Sequence, residues 1–199
     1  MAIEKAELKF EDDLIHKLET LGGVKQWKYE PSIKTTEELW NNFKRILEEN
    51  NQDKLDNPLS VSEFSQVKQI ITNLKTPYEA GQFLYGLNGV SQVEVDLDSG
   101  KHVYLTVFDQ AQIGAGNTRY QVVNQIERDA VIPGFPNRRF DTTLLINGLP
   151  IIQIEEKADY HDVDEALNQM HRYIHEEQYG DIFSTLQILV GMTPHDAKY

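Results

Sequence analysis

The sequence predicts an α/β fold: a mixed, largely antiparallel sheet with helices packed on it, joined to a helical N-terminal half. Three observations carry this. Apolar residues recur at helical spacing up to about residue 88. From Val90 the period changes to the alternation of strands, and Phe140–Lys157 reads as two β-prone runs around an Asn-Gly turn. One domain is expected, mainly helical over residues 1–88 and sheet-containing over 89–199.

In chain order, Ala2–Leu21 reads as a helix, with Leu8, Leu14, Ile15, Leu18 and Leu21 on a stripe interrupted by Glu11, and Gly22-Gly23 as a stop. Trp27–Tyr29 is a short stretch. Thr35 and Glu38 have capping-box spacing ahead of a second helix that runs to about Glu49. Ser60 or Ser62 caps a third helix ending near Asn73. Thr76-Pro77 opens a fourth that stops near Gly86.

Beyond these lies a hairpin, with Val93, Val95 and Leu97 before Asp98-Ser99-Gly100 and Val103, Leu105 and Val107 after it. Ile113–Thr118 reads as a loop, Tyr120–Glu127 as a strand and Pro133–Asn137 as a turn. Arg138-Arg139 then precede the strand that Asp141 opens. Asp162–Gln178 is helical, with Val163, Leu167, Met170 and Ile174 on one stripe. Leu186–Val190 is a buried strand.

Composition excludes several classes. There are no cysteines, so neither a disulfide framework nor a thiolate metal site is available. No apolar run approaches membrane-spanning length and no signal-peptide pattern opens the chain, which predicts a cytoplasmic protein without membrane association. Neither a Gly-x-x-x-x-Gly-Lys-Ser/Thr phosphate loop nor a Gly-x-Gly-x-x-Gly turn occurs. A net charge of −13 is the wrong sign for a self-sufficient nucleic-acid binder. His171 and His175 are four apart, but they lack a third ligand and read as surface histidines rather than a zinc site.

The chemistry concentrates at the open end of the Asn-Gly hairpin. Along its second strand Glu155 and Lys157 project to one face, Ile152, Ile154 and Glu156 to the other. Asp141 and Glu155 share a face if they pair directly, with Cβ atoms roughly 4.5–5.5 Å apart. Counting back, that pairing requires Ile146 opposite Pro150 and a three-residue loop, Asn147-Gly148-Leu149. A two-residue turn would send Asp141 to the other side. Two carboxylates so close repel unless a cation sits between them. Hard oxygen ligands with room for water suit Mg²⁺. Lys157, on the same face, is placed to orient a water or to stabilise charge on a phosphate. A structural ion pair at a sheet end is the bland alternative. Gln169 and Tyr173, four apart, share a helix face beside the apolar stripe.

Asp141, Glu155-x-Lys157 and Gln169-x-x-x-Tyr173, together with the stretches NQIE, FDTTLLINGLPIIQIEEK, NQMHRY and LQILVG, resemble the N-terminal nuclease domain of the R subunit of type I restriction enzymes, in the PD-(D/E)xK superfamily. Phe140 stands where the superfamily name has proline, and the ligand position two before the lysine is Glu155 rather than Glu156. The resemblance implies a restriction-endonuclease-like core and Mg²⁺-dependent cleavage of double-stranded DNA. It implies coupling to ATP-driven translocation by a region absent from this chain, and modification and specificity subunits as partners. It brings Gln169 and Tyr173 into the catalytic set. It also makes Glu11 a further metal ligand, since an acid on an early helix can approach the metal in this superfamily; a solvated helix carboxylate is the alternative. Two rival functions remain open at this point, a catalytically silent docking module and a metal-dependent phosphoesterase acting on small nucleotides.

Overall fold

The computed structural model describes residues 2–21, 26–113, 115–158 and 161–199, with side chains from residue 6 onward. Six helices and eight strands follow in the order α1 (Ala2–Thr20), β1 (Trp27–Tyr29), α2 (Thr36–Asn50), α3 (Val61–Thr72), α4 (Pro77–Tyr85), β2 (Val90–Asp96), β3 (His102–Asp109), α5 (Gln110–Ile113), β4 (Tyr120–Arg128), β5 (Arg138–Ile146), β6 (Leu149–Glu156), α6 (Val163–His175), β7 (Ile188–Met192) and β8 (Ala197–Lys198). A 3₁₀ turn at Asp181–Thr185 links α6 to β7.

The helix starts follow from local chemistry. Thr35, Ser60 and Thr76 each accept a hydrogen bond from the backbone N–H three residues on, and Glu38, Glu63 and Glu79 close three capping boxes. Proline at the first position of α4 lacks only an N–H that would be unpaired there anyway. The expected stop at Gly22-Gly23 lies outside the described residues.

Six strands form one mixed sheet in the order β1-β4-β5-β6-β7-β8. β4–β5, β5–β6 and β7–β8 are antiparallel, while β1–β4 and β6–β7 are parallel. The parallel β6–β7 step is bridged by α6 and the 3₁₀ turn. On one face, Ile15 of α1 packs on Val122, Leu144 and Ile154. On the other lies the main core, where Leu39, Phe43 and Leu47 of α2, Phe64 and Val67 of α3 and the β2–β3 hairpin meet Val123, Leu145 and Leu149. Helical and sheet-containing parts therefore share one core.

Several boundaries differ from expectation, each for an identifiable reason. β5 begins at Arg138 rather than Asp141, because Arg138 and Arg139 continue the ladder opposite Arg128 and Glu127. Ile113 ends a short helix rather than starting the loop. The strand expected to be buried starts at Ile188, since Leu186 is still leaving the 3₁₀ turn, and it is not buried: Ile188 is exposed and only Gly191 is buried. On α6 the buried residues are Val163, Ala166, Met170 and Tyr173, while Ile174 is exposed. The stripe is thus rotated toward Tyr173, whose ring packs 5.4 Å from that of Phe140.

The central correction concerns the hairpin. Ile146 pairs with Leu149, so the turn is the two-residue Asn147-Gly148 and not the three-residue loop. Both turn residues have positive φ, 49° and 83°, as a type I′ turn demands. Yet the site parity survives, because a β-bulge intervenes: Leu145 faces Pro150 while Leu144 faces Ile152, leaving Ile151 as the extra residue. Beyond it the register reads Thr143 with Gln153 and Thr142 with Ile154, where the ladder ends, so that Asp141 and Glu155 are the next residues on the two strands. The Ile151 carbonyl accepts from the Gln187 N–H at 2.9 Å, so the bulge also guides the chain into β7.

The turn itself is anchored. The Asn147 amide accepts from the Arg119 N–H at 2.9 Å and donates to the Val107 carbonyl at 2.9 Å. At Gly148 an added Cβ would lie 2.9 Å from Phe43 Cα. A left-handed φ and a backbone obstruction act together there, so Gly148→Ala is expected to lose about 2 kcal/mol or more, measured as a lower urea midpoint at unchanged slope.

Candidate active site

The open end of the β5–β6 hairpin forms the floor of a cleft of about 670 Å³, walled by α1, the kinked middle of β4 and α6. Asp141, Glu155, Lys157, Gln169, Tyr173 and Glu11 all line it. The six residues singled out from the sequence are therefore brought to one place.

Glu155 is fully buried at the end of β6. Its Oε1 accepts from Gln169 Nε2 and faces Lys157 Nζ at 3.5 Å. Its Oε2 has no hydrogen-bond partner among the described residues. Burial pushes the carboxyl well above the usual carboxylate range; the charge of Asp141 adds to the rise and Lys157 offsets part of it. Asp141 itself is half-buried, and its Oδ2 accepts the Glu156 N–H at 3.0 Å, fixing it against the neighbouring strand. Lys157 Nζ also donates to the Glu156 carbonyl at 3.0 Å.

Glu156, on the opposite face of β6, is also buried, and neither of its oxygens has a hydrogen-bond partner among the described residues. Burial raises its carboxyl to about 8, with the charges of Asp141 and Glu11 contributing; the nearby Thr142 hydroxyl offsets part of the rise. Glu11 is only 3% exposed, so the solvated-carboxylate alternative does not hold. Its two oxygens accept from the side-chain amides of Asn124 and Gln125, and burial together with the Asp141 charge raises its pKa in spite of them.

α6 supplies the far wall. Gln169 Nε2 lies 2.6 Å from the Tyr173 hydroxyl, which accepts, as well as on Glu155. Tyr173 is buried and belongs to the apolar stripe of α6 rather than lying beside it. Desolvation and the Glu155 charge hold its phenol neutral by raising its pKa. α6 can lie this close because Gly191 pairs with Glu155 on the next strand. A Cβ there would sit 3.1 Å from Ala166 Cβ and 3.2 Å from the Val163 carbonyl.

Of the two arginines ahead of Asp141, Arg138 is committed: its guanidinium grips Glu176, with Nε on Oε2 at 2.6 Å, and lies over the Tyr173 ring. Arg139 is exposed on the cleft rim. His171 and His175 are exposed, as expected of surface histidines. The Asn124-Gln125 pair enters the sequence reading only as part of a motif; the signal that could have marked it is two consecutive amides between the apolar residues Val122, Val123 and Ile126 of one strand.

The site carries the mark of a cation position. Glu155 is buried, its pKa is raised by desolvation and by the charge of Asp141, and its Oε2 has no hydrogen-bond partner among the described residues. Among the described residues no group of three or more acids or histidines forms a ready-made cage. Asp141 and Glu155 beside Lys157, with no histidine among the described residues of the cleft lining, form a donor set that fits a hard divalent cation completed by water or phosphate oxygens.

A model of the family described as type I restriction enzyme R protein N terminus matches residues 9–199. The chain belongs to that family. It is 30% identical over 196 residues to the SauMSSORF170P endonuclease subunit of a type I restriction enzyme from Staphylococcus aureus, covering 98% of this chain and 19% of the relative. It is likewise 30% identical over 199 residues to the SsaAORF53P endonuclease subunit from Staphylococcus saprophyticus, covering 99% of this chain and 19% of the relative. A shorter match, 34% over 104 residues, joins it to the EcoprrI endonuclease subunit of Escherichia coli and covers 51% of this chain and 31% of that subunit. The chain thus spans about a fifth of the length of the staphylococcal relatives. No described helix is long and apolar enough to cross a membrane.

The buried acids fix a pH dependence. A carboxyl whose folded-state pKa is raised binds its proton more tightly in the folded protein. Its contribution is complete below about 4.5 and is lost as pH rises through about 8, the Glu156 value. Without divalent metal, thermal stability is expected to fall steadily across that interval. Glu155→Gln, which removes the most deeply buried charge, is expected to melt higher than the parent near pH 8; an unchanged or lower melting temperature would contradict the burial of an uncompensated acid.

Proposed function

We propose that this chain is the nuclease domain of a type I restriction R subunit, hydrolysing DNA phosphodiester bonds with Mg²⁺ as cofactor. The observation that carries the reading is Glu155: a fully buried carboxylate beside Asp141 on the cleft lining, anchored through one oxygen by Gln169 and Lys157, its second oxygen without a hydrogen-bond partner among the described residues. Membership of the family, and the endonuclease names of its relatives, supply the substrate class.

In this reading Asp141 and Glu155 hold the ion, with Glu11 as a further ligand on the α1 side. Bound Mg²⁺ supplies a water of lowered pKa and a positive charge against the phosphate. Lys157, whose ammonium lies beside Glu155, orients that water or stabilises charge developing on phosphate oxygens. Gln169 fixes the orientation of Glu155 and is itself held by the Tyr173 hydroxyl. Double-stranded DNA is the substrate. In the intact enzyme, cleavage follows ATP-dependent translocation in company with modification and specificity subunits, in the cytoplasm.

Charge dictates how the domain meets DNA. Acids outnumber bases on the cleft lining, and of its three cations Arg138 and Lys157 are already engaged with Glu176 and Glu155. With a net charge of −13, this chain alone is expected to bind DNA weakly, the duplex being held by other parts of the assembly. A salt-titrated binding assay near ~100 mM salt checks this; tight, sequence-independent binding would contradict it.

The decisive test is Lys157→Ala in a full-length R subunit carrying this domain, with translocation and cleavage assayed separately. Cleavage is expected to fall by at least ~100-fold with translocation retained. Unchanged cleavage would remove the lysine from the mechanism.

A further inference from the structure

β4 contains an anomaly directly across from Asp141. Gln125 has φ 55°, a left-handed conformation in the middle of a strand. The other non-glycine residues with positive φ among the described residues, Asn88, Asn147, Glu177 and Asp181, lie outside strands or at the start of the 3₁₀ turn. The ladder to β5 runs regularly on either side, with Asn124 opposite Thr142 and Ile126 opposite Phe140, and it skips only the position where Gln125 would meet Asp141. A long amide side chain keeps this strained conformation only where its surroundings hold it there.

The consequence is geometric. In a regular strand Asn124 and Gln125 would point to opposite faces. The left-handed residue between them breaks the alternation, and both amides reach one carboxylate: Asn124 Nδ2 donates to Glu11 Oε1 and Gln125 Nε2 to Glu11 Oε2. Asn124 is held in turn, its Oδ1 accepting from the Tyr29 hydroxyl at 2.8 Å and from Lys34 Nζ, which also donates to the Asn124 carbonyl at 2.9 Å. β1 and the segment ahead of α2 thus buttress the clamp from the sheet edge.

We infer that Asn124 and Gln125 are positioning residues, a two-amide clamp that aims the Glu11 carboxylate of α1 at the ion position beside Asp141. The strained backbone at Gln125 is what lets consecutive residues share one target. The inference rests on the proposed metal-dependent reading of the site. It adds that α1, bound to the sheet here by polar contacts, sets the affinity for the ion.

The test compares Mn²⁺ binding and melting in the absence of metal. Gln125→Gly keeps the left-handed backbone at no steric cost but removes the amide; Gln125→Met removes the amide and keeps the strain. Both are expected to bind Mn²⁺ about 10-fold more weakly by calorimetry, as loss of a group supporting a ligand does. Without metal, Gln125→Gly is expected to melt at or above Gln125→Met. In a Glu11→Gln background, Gln125→Gly is expected to weaken Mn²⁺ binding no further, since the two then act through one group. Parental Mn²⁺ affinity in Gln125→Gly, or an undiminished loss in the Glu11→Gln background, would overturn the clamp. Asp141→Ala and Glu155→Ala run alongside: if neither weakens Mn²⁺ binding, it is the reading of the site that fails and the clamp with it.

Discussion

A buried carboxylate with one unanswered oxygen is the constraint from which the rest of this structure can be understood. Glu155 sits where desolvation strongly disfavours its charge, and Asp141 beside it worsens the penalty. Such a group is accommodated either by keeping its proton or by a cation bound beside it. Every surrounding element supports that arrangement: the β5–β6 bulge sets its register against Asp141, Gly191 lets α6 approach, and Gln169 and Lys157 occupy the other oxygen. Stability is surrendered at one point so that charge can be gathered there.

The two faces of the sheet divide the work. On the α6 side, Phe140, Tyr173 and Tyr179 pack as an aromatic cluster, and the Tyr173 hydroxyl accepts from Gln169. On the α1 side the contacts close to the cleft are polar, running from Glu11 through Asn124 to Lys34 and Tyr29. The helical N-terminal part is therefore more than scaffold. It brings an acid, and the groups that orient it, to the rim of the sheet.

Much of this was legible in the residues themselves. Capping boxes at Thr35, Ser60 and Thr76, proline at the head of α4 and the Asn-Gly turn are local signals, and local chemistry placed them correctly. Asp141, Glu155 and Lys157 could be gathered by strand parity, and Gln169 with Tyr173 by helical spacing. What could not be read were features that depend on partners distant in sequence. The bulge at Ile151 is invisible locally, so the approach of Asp141 to Glu155 was reached through the wrong loop. The burial of Tyr173 depends on Phe140 and Tyr179, and so lay beyond the apolar stripe of α6 alone. The left-handed Gln125 carries no glycine to announce it.

The most direct measurement is the anomalous diffraction of a crystal soaked in Mn²⁺. The account predicts a peak between the Asp141 and Glu155 carboxylates, on the side of Glu155 Oε2, at a ligand distance of roughly 2.0–2.3 Å. A peak elsewhere, or none while Glu155 Oε2 still faces no partner at saturating Mn²⁺, would contradict it.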